Sequence, residues 1–318
     1  MTSFWRLRWF GLVAGIAAAV ACGFLPSYYT GLLIEGLVFS IFALGLNLLL
    51  GYAGLPSLGH AAYFAAGAYA AGLIAVKVTP DFWVGLACGL AVSIALGAAF
   101  GLLALRTSGV YFLMITLALA QVAWGVVFSW RDLTGGDDGL RSIPRPTLAI
   151  PGIDLSGTTA FYEFTLAAFV IALVLMRAIL RSPFGYSLRG VKDSEARMDA
   201  LGYNVWLHKY IAFVLSAGFS GFAGVLLAYY RGFVSPEAAS IIVSAEVMLM
   251  VILGGAATLV GPVLGAFFII LLSNFISAYT ARWTLILGAL YAIVVLLAPA
   301  GVVGEAMAAR RRQRRGEP

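Results

Sequence analysis

Few side chains in this chain have the types and spacing that catalysis needs. The two histidines, His60 and His208, lie far apart, and no apolar run carries a paired acidic motif. None of the three lysines follows a glycine-rich phosphate loop, so a Walker A site is absent. Cys22 and Cys88 lie within apolar runs, where thiols more often pack than react. The sequence therefore predicts no catalytic or metal site and no cofactor bound by this chain.

Five polar side chains that fall within apolar runs are the candidates for a solute pathway: Asn47, Ser57, His60, Thr116 and Gln121. Polar groups inside a membrane are costly, so each is a functional hypothesis. A lone Asn or Gln more often joins two helices by a hydrogen bond, and that alternative stays open. Ion-coupled carriers usually need an ionisable cluster near the midplane. Because such a cluster is weak or absent in this sequence, we favour transport that is driven by another protein.

The composition predicts an all-α integral membrane protein. Hydrophobic residues make up 62% of the chain and charged residues 11%, with a mean hydropathy of +0.98. Soluble domains carry about 25% charged residues. At roughly 20 residues per span, about ten transmembrane helices fit into one domain, 1–318. The predicted spans are 10–26, 31–51, 57–76, 82–105, 109–130, 161–180, 209–230, 242–258, 261–279 and 283–300.

The charge distribution predicts the orientation. Ten spans place both termini on one side with 14 Lys and Arg residues, against six on the other side. Arg6, Arg8 and five arginines of 310–315 belong to the larger group. The positive-inside rule makes that side, with both termini, cytoplasmic. The basic tail at 305–318 is then expected to lie on anionic lipid. Because the net charge of +6 belongs to loops, it does not indicate nucleic-acid binding.

Glycine and proline interrupt two apolar stretches that are too long for one straight span. The interruptions are GYAGLPSLGH at 51–60 and GGAATLVGP at 254–262. One interpretation is a pair of tight helical hairpins. The other is broken or re-entrant helices whose ends line a cavity, because irregular backbone at membrane depth needs a cover of protein or water. The two segments are loosely alike, which suggests an internal repeat.

The largest basic loop, residues 181–209, lies on the predicted cytoplasmic side. DSEARMDAL at 193–201 combines early acidic residues with good helix formers, and Gly202 follows as a stop signal. We predict a short helix that touches a soluble partner, and a basic loop lying on lipid is the alternative. On the other side, 131–160 is rich in Gly, Pro and Asp. It predicts either a short cap or a solvated connector.

Small residues recur at every fourth position of one predicted span: Gly85, Gly89, Ser93, Gly97 and Gly101. Positions four apart share one helix face. Membrane helices approach each other closely along such small-residue faces. We expect this stripe to be a packing surface and not part of a solute site.

Five motif-bearing segments occur in order between residues 44 and 266. They are LGLNLLLGYAGLPSLGHAAYFAAGAYAA (44–71), LRTSGVYFLMITLALAQ (105–121), LTGGDDGL (133–140), RSPFGYSLRGVKDSEARMDALGYNVWLHKYIAFVLSA (181–217) and ILGGAATLVGPVLGA (252–266). Together they resemble the LivM-type permease subunits of bacterial branched-chain amino-acid ABC importers. The resemblance implies a multi-pass protein of the bacterial cytoplasmic (inner) membrane that imports leucine, isoleucine or valine. It also implies a binding protein, periplasmic or on the cell surface, a LivH-type permease partner, and two LivG- and LivF-like ATPases that bind ATP and Mg²⁺.

The same resemblance gives the basic loop a role. Glu195, Ala196 and Gly202 match the family's EAA-like loop, which implies that this helix seats in a groove of the ATPase. Arg189, Arg197 and Lys209 flank the helix. Two alternatives stay open. One is the same architecture importing urea, short amides or another small solute; the other is an ion-coupled secondary transporter. Since small apolar side chains are hard to discriminate by pocket contacts, we expect selectivity to lie mainly in the binding protein.

Overall fold

A computed structural model describes residues 26–148 and 154–280, together with 282, 285, 286, 288 and 289. Within these residues every long element is a helix, and extended backbone pairs only in two single bridges. The predicted spans 10–26 and 283–300 lie almost entirely outside the described residues, as does the basic tail at 305–318. The all-α prediction therefore holds for the part of the chain that is described.

The helices follow one another in this order. They are α1 (Ser27–Asn47, continued by a π-helix over Leu48–Ala53), α2 (His60–Lys77), α3 (Phe82–Ala104), α4 (Gly109–Ser129), α5 (Arg131–Thr134), α6 (Thr158–Arg181), α7 (Pro183–Asp193), α8 (Glu195–Ala200), α9 (Val205–Arg231), α10 (Ile241–Gly254) and α11 (Gly261–Tyr279). Short 3₁₀ helices occupy Gly136–Asp138 and Pro236–Ala239.

Six of the described helices are long and apolar enough to cross a membrane: α1 with its π-helical extension, α3, α4, α6, α9 and α11. Each coincides with a predicted span. The predicted spans 57–76 and 242–258 correspond to α2, which begins at a break, and α10, which ends at one. With 14 residues, α10 rises only about 21 Å, less than a hydrocarbon core of about 30 Å. The predicted count of ten spans is thus not confirmed.

The helix α9 lies at the centre of the bundle and packs against α1, α2 and α3. Most of α1 and α9 is buried, whereas α3 and α4 present apolar side chains to the outside. Val92 and Leu102 of α3 and Met114 and Val122 of α4 are examples. Because a water-soluble monomer rarely exposes so much contiguous apolar surface, this periphery is suited to lipid or to a neighbouring membrane subunit.

The small-residue stripe of α3 lies against α9 and α2, and all five of its members are buried. A Cβ atom added to Gly97 would collide with Ala217, and one added to Gly89 would collide with Val225. The hydroxyl of Ser93 donates a hydrogen bond to the backbone of α2 at 3.0 Å. The stripe therefore lets three helix backbones approach each other closely.

The bundle has two distinguishable ends. The loop end carries residues 181–209 and the turn at Arg106, and the cap end carries residues 131–148 and 232–240. At the cap end the described part of the predicted cap folds onto the chain after α9, with Leu140 bridged to Val234. Half of the 14 basic residues behind the predicted orientation lie outside the described residues. That the loop end faces the cytoplasm stays a prediction.

Candidate functional site

The loop at 181–209 folds into two short helices. The hydroxyl of Ser194 accepts a hydrogen bond from the backbone N–H of Arg197 and so caps α8. The helix ends before Gly202, whose φ of +86° is a left-handed conformation that glycine adopts without strain. This agrees with the helix predicted over 193–201.

The preceding helix, α7, is not among the predicted elements. The sequence does contain a typical helix start at this point, because Ser182 caps the helix and Pro183 occupies its first turn. The loop therefore contains two consecutive helices, α7 and α8, and not the single helix that was predicted.

An ion pair fastens α8 to the start of α9. The ammonium of Lys209 lies 2.5 Å from Oε1 of Glu195. The side chain of Lys209 is only 11% exposed, whereas that of Glu195 is 57% exposed. Ala196 and Arg197 point to the surface, and a Cβ added to Gly202 would meet nothing. The predicted coupling residues on α8 therefore form an open face at the loop end.

Two cationic side chains of α7 hold the end of α1. The ammonium of Lys192 donates a hydrogen bond to the carbonyl oxygen of Gly51 at 2.7 Å. The guanidinium of Arg189 lies over the ring of Tyr52, 5.0 Å from its centroid. Arg189, which was predicted to flank the coupling helix, is exposed and also lies over the ring of Tyr186 on its own helix, 5.6 Å from the centroid. The loop is thereby attached directly to the first interrupted segment.

The first interruption is a true break between α1 and α2. The last turns of α1 widen into the π-helix Leu48–Ala53, which Gly54 ends with a φ of +73°. Residues 54–59 are not helical, and α2 begins at His60. Short π-helical turns of this kind are rare in α-helices and occur often at functional sites.

The second interruption separates α10 from α11 and lies against the first. Asn47 joins them: its Nδ2 donates to the carbonyl oxygen of Thr258 at 2.7 Å, and its Oδ1 accepts from the N–H of Ala257 at 2.9 Å. A Cβ on Gly51 would lie 2.5 Å from the nitrogen of Ala257. The two glycine-rich segments therefore interrupt the helical backbone and lie in mutual contact, and Asn47 pairs two backbone groups of the second segment. The helices on either side of that second segment, α10 and α11, pack against each other as in a hairpin.

A buried polar network lies at the start of α2. His60 Nε2 lies 2.6 Å from the hydroxyl of Ser216, and that hydroxyl donates to the carbonyl of Gly45 at 2.6 Å. His60 must therefore donate through Nε2, which leaves Nδ1 to accept from the hydroxyl of Ser57 at 3.1 Å. Thr116 of α4 adds an acceptor for the N–H of residue 58, at 3.3 Å.

Four of the five predicted pathway residues thus lie in or beside the breaks, and all four are buried and hydrogen-bonded. Gln121 is separate: it is exposed and lines a cavity of about 700 Å³ toward the cap end. Within the described part of the chain, no group of His, Cys, Asp or Glu residues is arranged to hold a metal ion. Ser216 and Lys192, which complete these contacts, are not among the predicted site residues.

Comparison with known proteins identifies the family. The family described as "Branched-chain amino acid transport system / permease component" matches residues 28–298. The chain belongs to this family. The permease is 29% identical over 316 residues to the "High-affinity branched-chain amino acid transport system permease protein LivM" of Salmonella typhimurium. The match to LivM of Escherichia coli has the same identity, and each match covers 92% of this chain and 74% of the relative.

A second type of relative matches as well. The permease is 25% identical over 295 residues to the "Probable branched-chain amino acid transport permease protein LivH" of Methanocaldococcus jannaschii, covering 86% of this chain and 91% of the relative. No solved structure matches the chain. Membership of this family makes the chain an integral, multi-pass permease component of an ABC transport system, a class of subunit that lacks its own ATPase site. Similarity to both LivM and LivH indicates a system of several subunits.

Proposed function

We propose that this permease translocates leucine, isoleucine and valine into the cell through the bacterial cytoplasmic membrane. Two separate LivG- and LivF-like ATPases bind ATP and Mg²⁺ and drive the movement. A LivH-type permease completes the pathway, and a binding protein delivers the solute. The observation that carries the proposal is an uninterrupted set of contacts that runs from the surface of the loop to both helix breaks.

The first step of this contact path lies at the loop end. An ATPase that binds the exposed face of α8 moves α7 and α8 as one unit, because only Ser194 separates the two helices and Met198 of α8 lies directly against Gly190 of α7. Lys192 and Arg189 of α7 then carry the displacement to Gly51 and Tyr52. The contacts that Lys192 and Arg189 make are polar or cationic and therefore directional.

The second step couples the two breaks. Since Asn47 holds the backbone of both Ala257 and Thr258, and Gly51 leaves no space beside Ala257, the first break cannot shift without the second. Packed elements of this kind move as rigid bodies between discrete arrangements. Displacing them exposes the hydrogen-bonding groups of Asn47 and His60 to water or solute, which opens a polar route at the breaks.

The test is transport by the purified complex in proteoliposomes, with labelled leucine and labelled urea in parallel. Each solute is offered with ATP, without ATP, and with a proton or sodium gradient instead of ATP. We expect leucine uptake only when ATP and the ATPases are present. ATP-driven uptake of urea but not leucine would favour the small-solute alternative, and uptake driven by an ion gradient alone would favour a secondary transporter.

A further inference from the structure

A cavity of about 700 Å³ lies toward the cap end, between α1, α2, α4, α10, the end of α9 and the segment that follows it. This volume is within the range of roughly 300–1,000 Å³ that is usual for small-molecule sites. The cavity lies on the side of the breaks away from the ATPase-coupling loop. A solute that arrives at the cap end would therefore occupy it before it reached the breaks.

The cavity wall carries charges of both signs. Arg231 binds Oε1 of Glu35 through Nε at 3.1 Å and Nη2 at 2.9 Å. Within the described residues its Nη1 has no hydrogen-bond acceptor. Glu246 of α10 also lines the cavity, is half-buried, and forms no ion pair with any described residue. A carboxylate that is removed from water keeps its charge only when a cation pairs with it and otherwise takes up a proton, so Glu246 is suited to a cationic ligand group.

Much of the rest of the wall is apolar and aromatic, beside the polar side chains of Gln121, Ser235, Glu237 and Ser240. The rings of Phe39 and Phe64 lie 6.0 Å apart and are buried at the inner side of the cavity. Trp124 of α4 contributes a third ring to the lining. Phe64 stands one helical turn beyond His60, so this aromatic wall separates the cavity from the polar network at the first break.

We propose that the cavity binds an α-amino acid as a zwitterion. Glu246 pairs with the ligand's ammonium, Arg231 with its carboxylate, and the three aromatic rings contact its apolar side chain. The inference rests on the proposed function and adds to it a site of selection within the permease. Urea and short amides lack both charges and the side chain, so they gain none of these contacts. Selectivity then does not lie in the binding protein alone.

The test uses the full transporter complex in nanodiscs, without nucleotide or binding protein, and measures the binding of each ligand by calorimetry. The ligands are leucine, leucinamide (no carboxylate), 4-methylpentanoate (no ammonium) and urea. We expect wild type to bind leucine more tightly than either analogue and not to bind urea. Glu246→Gln should weaken leucine and leucinamide about tenfold and leave 4-methylpentanoate within about twofold of wild type.

Substitution of Arg231 should affect the two analogues in the opposite way. Arg231→Gln is combined with Glu35→Gln so that no carboxylate is left unpaired. The double variant should have a lower affinity for leucine and 4-methylpentanoate but an unchanged affinity for leucinamide. Glu246→Asp keeps the charge and should retain most of the leucine affinity. Glu163→Gln on α6 removes an exposed glutamate that does not line the cavity, and it should change nothing.

Three results would contradict the zwitterion site. The wild type does not bind leucine, Glu246→Gln lowers the affinity for all ligands equally, or Glu246→Gln lowers the affinity for none of them. Uptake of leucine with ATP and a binding protein is measured on the same preparations. If that uptake persists while the binding results fail, the zwitterion site is wrong and the importer function stands. If uptake itself is absent, the importer function fails.

Discussion

The ammonium of Lys192 and the carbonyl oxygen of Gly51, 141 positions apart in the chain, are joined by a hydrogen bond of 2.7 Å. Gly51 lies within the π-helical turns that end α1, where the regular pairing of backbone carbonyls is interrupted. The neighbouring Tyr52 is covered by Arg189 from the same helix. Two adjacent residues of the first break are thus held by two cations of α7, so a displacement of the loop acts directly on the break.

Asn47 is expected to stabilise the pair of breaks strongly. It is fully buried, and Asn47→Leu would leave the N–H of Ala257 and the carbonyl of Thr258 without their partner. We expect a loss of about 2–4 kcal/mol in the free energy of unfolding, since each buried unsatisfied group costs roughly 1–3 kcal/mol. Denaturant-induced unfolding in detergent micelles measures it.

The matched control for Asn47 is Asn274→Leu. Asn274 also lies in an apolar helix, but it is partly exposed and accepts a single hydrogen bond, from Tyr28 at the cap end. Its replacement should cost no more than about 1 kcal/mol, because the bond it loses faces the outside of the bundle. Equal losses from both variants would contradict the special position of Asn47.

The contact between His60 and Ser216 is expected to fix the start of α2. Ser216→Val fills a similar volume but removes the acceptor of His60 Nε2–H, so it should destabilise the protein by about 1–3 kcal/mol. Ser220 lies one turn further along α9 and bonds only to the backbone of its own helix. Ser220→Ala should therefore cost less than about 0.5 kcal/mol in the same unfolding measurement. A Ser216 variant as stable as the Ser220 variant would show that the network contributes little.

Much of the helical framework is predictable from the sequence, because the position of each helix depends mainly on its own residues. The apolar run at 261–279 has the bounds of α11, and the run at 82–105 differs from α3 by one residue. Interruptions at 51–60 and 254–262 were predicted as well, either as hairpins or as broken helices, since Gly and Pro interrupt helices through their own backbone properties.

The contacts that make a site were not predictable in the same way. Asn47 and Thr258 are 211 positions apart, and no local pattern indicates that the side chain of Asn47 would bond to the backbone of Thr258. Polarity within an apolar run placed Asn47 and Gln121 in one group, but which face of a helix is packed depends on its neighbours. Glu246 is not among the predicted site residues, because only the assembled bundle shows the cavity beside it.

Glu195→Lys is expected to uncouple ATP hydrolysis from uptake without unfolding the permease. The new lysine would face the mostly buried Lys209, and the two like charges would separate α8 from α9. Leucine uptake should fall at least about tenfold at unchanged ATP hydrolysis, within the usual range of coupling energies. The exchange Glu195→Lys with Lys209→Glu restores opposite charges and should recover part of the uptake. Normal uptake by the single variant would remove Glu195 from the coupling path.

The central claim is that a motor outside this chain moves the helix breaks through α7, and Lys192→Met tests it most directly. Methionine keeps an apolar stem but lacks the ammonium that holds Gly51, and Arg177→Met, at an exposed position of α6, is the control. Leucine uptake and ATP hydrolysis are measured in the same proteoliposomes. We predict that Lys192→Met lowers uptake at least about tenfold while hydrolysis stays within about twofold, and that the control changes neither. Uptake at the wild-type rate in Lys192→Met would contradict the account.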